Sequence, residues 1–579
     1  MIAYTNEFYS SNNYIGVPFP VHRLRSAKLV WLNIRYFLEN GINATDKDVY
    51  EDISKNLLDE YGVMAPENLE ASASTDNAAT TFVADRYGGS IGAAHGGSGR
   101  CGIKGGYNAK GIGRTPLVPH MSFDWHHEHG FLWLSEAIRE AIASEVAIAE
   151  MPYGAIPIVA IIDTGMRFKR NEASPEEHCA IVIRPNFIRP AHFERSIYFG
   201  SAGTKDSDQY QDALRVKTAI DFVTQYQSEQ PSIEHFLTEL FRRIGFQLGA
   251  SRALRLWQGR LLSSNISIDG ALVDFGAFRS VANWRCLTGR LGEEFGNEGA
   301  FFDTAAKSLS FYFTKYSLNK ERVPGSESLL SIFNEATQSG FFDCCAKSLG
   351  LSNKYKENIL QSIQNYYAVQ QEQRREVDDP EDLRLPWFYD FLKKGEKNYA
   401  ANEKERKAAI ALYREIDKHV KDRTTSLTWQ SVYNWFRPRP YMYLNVASKA
   451  AEIEIKRASK PEADSKECIS NFIDRQISRC RRYWNQRPHN FVILGQRTNS
   501  GQTGFWGINT TTEKYGWWMP VHHLDGKELY WSAITKNKYT ERAKFGNDDF
   551  LWIQTENQLS EIFPDGNSYT YMMSKPAMY

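Results

Sequence analysis

Two spacings of apolar residues alternate along the chain and set its expected elements. The turn-rich PFPVHRLRSA leads into an apolar run from Lys28, KLVWLN. Polar and apolar residues then alternate at roughly helical spacing from Asp48 to Leu58. Leu134 to Glu150, LSEAIREAIASEVAIAE, joins strong helix formers to apolar positions at Leu134, Ile138 and Ile142, which predicts a helix. Strands are expected at Ile156 to Ile162 and at Ile181 to Arg184. The pattern is helical again from Ser232 to Trp257, and beyond Val281 over Glu327 to Thr337, Tyr355 to Gln373 and Asn402 to Val420. From about residue 486 it changes to short β-like, aromatic segments such as FVILGQ, GWWMPV and ELYWSAI.

Composition narrows the class. At 579 residues the chain is long enough for more than one domain, and 42% hydrophobic with 24% charged residues is ordinary for a globular protein. Lys plus Arg equal Asp plus Glu at 69 each, so neither nucleic acid nor an anionic membrane is an expected partner. The strongest apolar run, Ala155 to Ile162, is far shorter than a membrane span. MIAYTNEFYSSNN has no basic region followed by an apolar core, so no secretory signal is expected. Seven cysteines without a Cys-x-x-Cys pair point to reduced thiols in a cytoplasmic setting. ASASTDNAATT reads as a polar loop, and Glu372 to Glu381 as a solvated helix end and linker.

Candidate chemistry gathers in four places. Gly88 to Gly113 contains eleven glycines, and Gly97, Ser98, Gly99 and Arg100 within it suit a backbone cradle for phosphate oxygens. Tight turns or a flexible linker are the other reading. Lys110 follows, and either Glu140 or Glu145 on the expected helix is its partner or a surface charge. Arg184 and Arg189, five residues apart after a strand, form a fork for phosphate or pair with surface carboxylates. Asn265 and Asp274, nine residues apart, offer an amide oxygen and a carboxylate of the kind Mg²⁺ takes, although Asp274-Phe275-Gly276 also reads as a strand ending in a turn. The cluster Trp125-His126-His127-Glu128-His129 is read as an exposed inserted loop ahead of a metal site.

In this order the segments resemble the selenoprotein O (SelO) family. The resemblance runs through Phe8-Tyr9, PFPVHRLRSAKLVWLN, GGSGRCG, AKGIGRTP, SEAIREAIASE, RPNFIRPAHFE, SNISIDGALVDFGAF and, at residues 437–452, RPRPYMYLNVASKAAE. It covers roughly residues 1–485. It implies an α+β, protein-kinase-like fold of two lobes, the second mostly helical. Residues 1–180 would hold the glycine loop, the lysine strand and the paired helix, and 181–485 the metal-binding loop. Residues 486–579, outside the resemblance, are expected to form a small β-rich extension.

The family transfers AMP from ATP to protein hydroxyls, with the nucleotide flipped relative to ordinary kinases. The resemblance assigns Lys110 and Glu140 to the phosphate-contacting pair, Arg184 and Arg189 to nucleotide contacts, and Asn265 and Asp274 to Mg²⁺ or Mn²⁺. Four departures stand out. Ser264 occupies the position of the family's acidic base candidate, and a serine is no general base at neutral pH. Ser98 replaces an aspartate, and the arginine segment is two residues shorter than usual. The family's redox-active C-terminal residue is missing, since the last cysteine is Cys480.

The expected function is therefore ATP- and Mg²⁺-dependent transfer of AMP to a protein or peptide. With Ser264 in the base position, a peptide carboxylate, already ionised at neutral pH, is a second class of acceptor. The alternative is an inactive nucleotide-binding scaffold; an ordinary phosphotransferase is a third reading. The aromatic residues of 486–579 are expected in the core of a β module, with partner docking as their other use.

Overall fold

A computed structural model describes residues 6–9, 14–69, 79–89, 96–118, 129–196, 206–226, 232–287, 294–317, 322–351, 356–376, 403–422, 427, 432, 435–436, 439–460 and 465–481, and the backbone of five strands within 491–543. Strand β8 (Glu176–Pro185) carries the apolar run that organises the first part. Successive side chains of a strand point to opposite faces. Ala180 and Val182 accordingly join one apolar core, and Cys179, Ile181 and Ile183 the other. This buries the strand on both faces.

Around it lie β1 (Gly16–Arg23), β2 (Lys28–Leu32), β3 (Val63–Met64), β4 (Thr80–Asp85), β5 (Cys101–Lys104), β6 (Tyr107–Lys110) and β7 (Ala160–Lys169). They form an eight-stranded sheet in the order β2-β7-β8-β6-β5-β4-β1-β3, every pair antiparallel. Helices α1 (Ile34–Glu39) and α2 (Lys47–Tyr61) cover part of one face. Asp46 starts α2 by accepting from the backbone N–H of Asp48 and Val49. On the other face lies α3 (Leu134–Glu150), with fourteen of its seventeen residues buried, so it is a central helix rather than a half-exposed one.

The remainder is largely helical: α4 (Asp206–Tyr226), α5 (Ile233–Leu254), α6 (Phe302–Tyr316), α7 (Ser326–Leu349), α8 (Lys356–Gln371), α9 (Glu403–Asp422), α10 (Leu444–Ala458) and α11 (Ser465–Cys480). Helices α5 and α7 pack backbone to backbone. A Cβ at Gly249 would lie 2.0 Å from Thr337 O, and one at Gly340 2.2 Å from Phe246 O. Short strands β9 (Leu256–Trp257) and β10 (Arg279–Ser280) pair, as do β11 (Cys286–Leu287) and β12 (Arg375–Glu376). Strands β13 (Phe491–Asn499), β14 (Gln502–Asn509), β15 (Lys514–His523), β16 (Gly526–Ile534) and β17 (Thr540–Ala543) form an antiparallel sheet in chain order. The extension expected from residue 486 is thus β-structured over these strands.

One expected strand starts late. Ile156 lies before β7, because its N–H donates to Leu272 O (2.9 Å) and Ala155 bridges Leu272 in parallel. The chain pairs with the Asn265–Asp274 segment before it enters the sheet. Residues 71–78 of the polar loop and 125–128 of the histidine cluster lie outside the described residues. All seven cysteines are free. Among the described residues, no helix is long and apolar enough to cross a membrane.

Candidate functional site

The site forms where β6, α3 and the 265–274 segment meet. Lys110 ends β6, paired with Val182 on β8 and Cys101 on β5. Its Nζ donates to Glu140 Oε1 at 2.5 Å and to Asp274 Oδ1 at 3.0 Å. Lys110 and Glu140 are almost fully buried, whereas the Asp274 side chain keeps 43% of its exposure. Glu145, the other helix candidate, instead binds Arg35 at 2.6 Å.

Asp274 reaches Lys110 through a turn. Val273 N–H donates to Asn265 O (2.9 Å) and Ile266 bridges Leu272, so the two candidate metal ligands lie on neighbouring backbone strands. Asp274 itself has φ +63°, a left-handed conformation that Asp and Asn tolerate better than most residues. Gln258 Nε2 donates to Val273 O (2.8 Å) and Asp274 O (3.0 Å), which fixes the turn. Asn265 Nδ2 donates to Arg260 O (3.0 Å), which turns Oδ1 the other way. Among the described residues that oxygen accepts a long hydrogen bond from Ser264 Oγ (3.4 Å).

Positive groups surround the carboxylates. Arg100 donates to Phe131 O (3.0 Å) and Glu136 Oε1 (3.4 Å). Burial alone would push Asp274 up, but Lys110, Arg100 and Arg184 outweigh it and hold the group well below the usual carboxylate range. Burial pushes Lys110 down, and Asp274 and Glu140 more than reverse it, so the amine stays charged. An ionised carboxylate beside a half-open amide oxygen fits a hard divalent cation. Among the described residues no group of three His, Cys, Asp or Glu side chains forms another such site. His129 Nδ1 accepts from Phe131 N–H (3.0 Å), a local turn contact.

The two arginines occupy different places. Arg184 Nε donates to Asn108 Oδ1 (3.0 Å) on the neighbouring strand. Arg189 Nη1 donates to Ser264 O (2.8 Å), and its guanidinium lies over Tyr87 (4.3 Å) and Phe187 (4.5 Å). Its buried Nε and Nη2 have no hydrogen-bond partner among the described residues. Asp85 Oδ2 stands 3.7 Å from Nη2, and Asp85 Oδ1 pairs with His192 Nε2 at 2.8 Å. Burial drives His192 below the usual histidine value despite that aspartate.

The glycine segment is packed rather than open. Ser98 N–H donates to Asp85 O (2.8 Å), its carbonyl accepts from Thr115 Oγ1 (2.7 Å), and Thr115 N–H donates to Gly99 O (3.0 Å). Gly97 has φ +151°, and a Cβ there would lie 2.2 Å from Asp85 O. The segment is therefore a close-approach turn on the end of β4, and the Ser98 N–H is not directed at a ligand. Residues 90–95 lie outside the described residues.

Sequence reasoning missed Asp85, Tyr87, His192 and Glu136. Their roles come from partners distant in the chain, and only the His-Phe-Glu run at residues 192–194 carried a local signal.

Compared with known families, the chain matches the SelO model, described as protein adenylyltransferase SelO, over residues 94–287. That span, about a third of the chain, holds every site residue named above from Gly97 to Asp274, and over it the chain is similar to the SelO family. No curated protein matches the chain.

Proposed function

We propose that this SelO-like chain transfers AMP from ATP to a protein or peptide. The observation that carries the reading is Lys110 held between Glu140 and Asp274 beside Arg100 and Arg184, an anion-binding centre with a metal-compatible carboxylate at its open side. In this reading the sheet region to about residue 180 and the helical region to 485 form a kinase-like pair of lobes with the centre between them. Free thiols fit a cytoplasmic setting.

Asn265 and Asp274 would hold Mg²⁺ or Mn²⁺, which neutralises charge on the phosphate oxygens. Lys110 binds phosphate and Glu140 keeps its amine in place. Arg184 and Arg189 bind the nucleotide; for Arg189 this uses Nε and Nη2, which have no hydrogen-bond partner among the described residues. The acceptor oxygen attacks the α-phosphorus, the bond to the bridging oxygen of the β-phosphate breaks, and pyrophosphate leaves. Such transfer depends on positioning and charge stabilisation more than on covalent chemistry by the protein.

Ser264 favours an acceptor that arrives ionised. Its hydroxyl contacts Asn265 Oδ1 and offers no carboxylate. A peptide carboxylate needs no base, and its adenylate would be an activated acyl group, as in peptide maturation. The same serine favours the second reading, a silent nucleotide-binding scaffold whose partner docks on residues 486–579.

Purified protein with Mg²⁺ or Mn²⁺ and ATP labelled at the α- or γ-phosphate tests this. Label from α-ATP alone, lost in Asp274→Ala, is expected. Label from γ-ATP alone means conventional phosphotransfer, and binding without label means the scaffold.

A further inference from the structure

Glu140 is placed by α3, and α3 is held from the side by residues far away in the chain. Arg439 grips Glu150 bidentately, Nη1 to Oε1 at 2.8 Å and Nη2 to Oε2 at 2.6 Å, with both side chains almost fully buried. The same Nη1 donates to Cys480 O (3.1 Å), the last residue of α11. One turn and a half earlier, Glu145 accepts from Arg35 Nε (2.6 Å) and Nη2 (2.7 Å), from Asn33 Nδ2 (2.7 Å) and from Arg481 Nη2 (3.4 Å). Trp31 Nε1 completes the tie between β2 and α11 by donating to Asp474 Oδ1 (3.3 Å).

The surface of α3 explains why charges do this work. Ala137, Ala141, Ala143, Ala147 and Ala149 are all buried on it. Between the larger Leu134, Ile138, Ile142 and Val146, these small side chains add little to fixing how far the helix slides along its axis. A planar guanidinium fork on a carboxylate fixes both distance and orientation. Removing one partner of such a buried pair leaves an uncompensated charge, so the pair is either made or the helix moves.

We infer that residues 439–460 and 465–481 form an intramolecular brace, in which Arg439 and Glu150 are positioning residues that set the register of α3 and so the Lys110–Glu140 contact. The inference rests on the reading of Lys110 and Glu140 as phosphate-binding groups. Neither Arg439 nor Glu150 touches the site. They act through the helix, and a shift of about 1 Å at a reacting group is enough to cost a hundredfold in rate.

The test uses the full chain with Glu150→Gln, which keeps shape and removes the charge, and Arg439→Lys, which keeps charge and removes the fork. Two readouts are taken per folded molecule: the rate at which an amine-acylating reagent labels Lys110, and the kcat and KM for AMP transfer from α-labelled ATP. Each variant is expected to raise Lys110 labelling and lower kcat by roughly tenfold to a hundredfold, with a much smaller change in KM. Unchanged Lys110 labelling and kcat in either folded variant, with only a lower melting temperature, overturns the brace. Where Glu150→Gln fails to fold, Arg439→Lys decides. If the wild-type chain transfers no AMP, the functional reading falls, while Lys110 labelling still decides the brace.

Discussion

Asp274 combines an unusual backbone with an unusual charge environment, and the two can be separated by one substitution. Asn tolerates the same left-handed φ but carries no charge. Asp274→Asn is therefore expected to fold, since Lys110 keeps Glu140, with a modest loss of stability because Lys110 and Arg100 lose a carboxylate partner, and to lose AMP transfer by about a hundredfold or more, as removal of a charge-stabilising group does. Parallel melting curves and label incorporation check this; a large loss of stability would show that the carboxylate serves the fold instead. Ser264→Asp asks the opposite question. If the acceptor is already anionic, a carboxylate there gives no gain and repels it, whereas a gain of about tenfold would mark a hydroxyl acceptor that lacked its base. Gly97 makes a structural prediction. Its φ of +151° and the 2.2 Å between a would-be Cβ and Asp85 O leave no room for Ala. Gly97→Ala is expected to cost about 2 kcal/mol or more, read from the denaturant midpoint.

At the scale of elements, α11 carries a titrating group against the sheet. Burial raises Asp474 to about 6, against the lowering effect of the Trp31 N–H. A carboxyl whose folded value lies above its unfolded value binds its proton more tightly when folded, so stability falls as pH rises from about 4 to about 6 and the loss persists above that window. Asp474→Asn keeps an acceptor for Trp31 and removes the charge. It is expected to exceed the wild type in stability by up to about 3 kcal/mol at pH 7.5, an advantage that shrinks towards pH 4. Denaturant midpoints of both chains across that range decide it. The limits of sequence reading show at the same scale. Helix α3 was legible to its ends because helix formers and apolar spacing agree over its whole length. Which of its glutamates meets Lys110 was left open by spacing and chosen only through the family resemblance, since Glu140 and Glu145 differ only in the distant partners they find, Lys110 for one and Arg35 for the other. The start of β7 was misplaced because the backbone of Ile156 answers to Leu272, 116 residues later, and not to its own apolar neighbours. Asp85 and His192 escaped for the same reason, lying 107 residues apart.

For the whole molecule, the candidate site joins the sheet to the helical region through one charge cluster. Lys110 belongs to β6, Glu140 to α3, and Asp274 to a segment tied back by Gln258 and Asn265. A ligand held by all three binds only the state in which sheet and helices are assembled, so it must stabilise that state by mass action. Mg²⁺ and ATP together, at 100 times the dissociation constant, are expected to add about 2.7 kcal/mol to the unfolding free energy. Either component alone should add much less, because Asp274 presents its charge to the phosphates only through a cation. Chelation of the metal is expected to return the curve to its starting position, and Asp274→Ala to remove the metal-dependent part of the shift while leaving a smaller ATP effect through Lys110 and the arginines. Thermal or denaturant unfolding with each component omitted in turn measures this without reference to any acceptor. A shift from ATP that ignores both the metal and Asp274 would place the nucleotide elsewhere in the molecule and detach the Lys110 cluster from nucleotide binding.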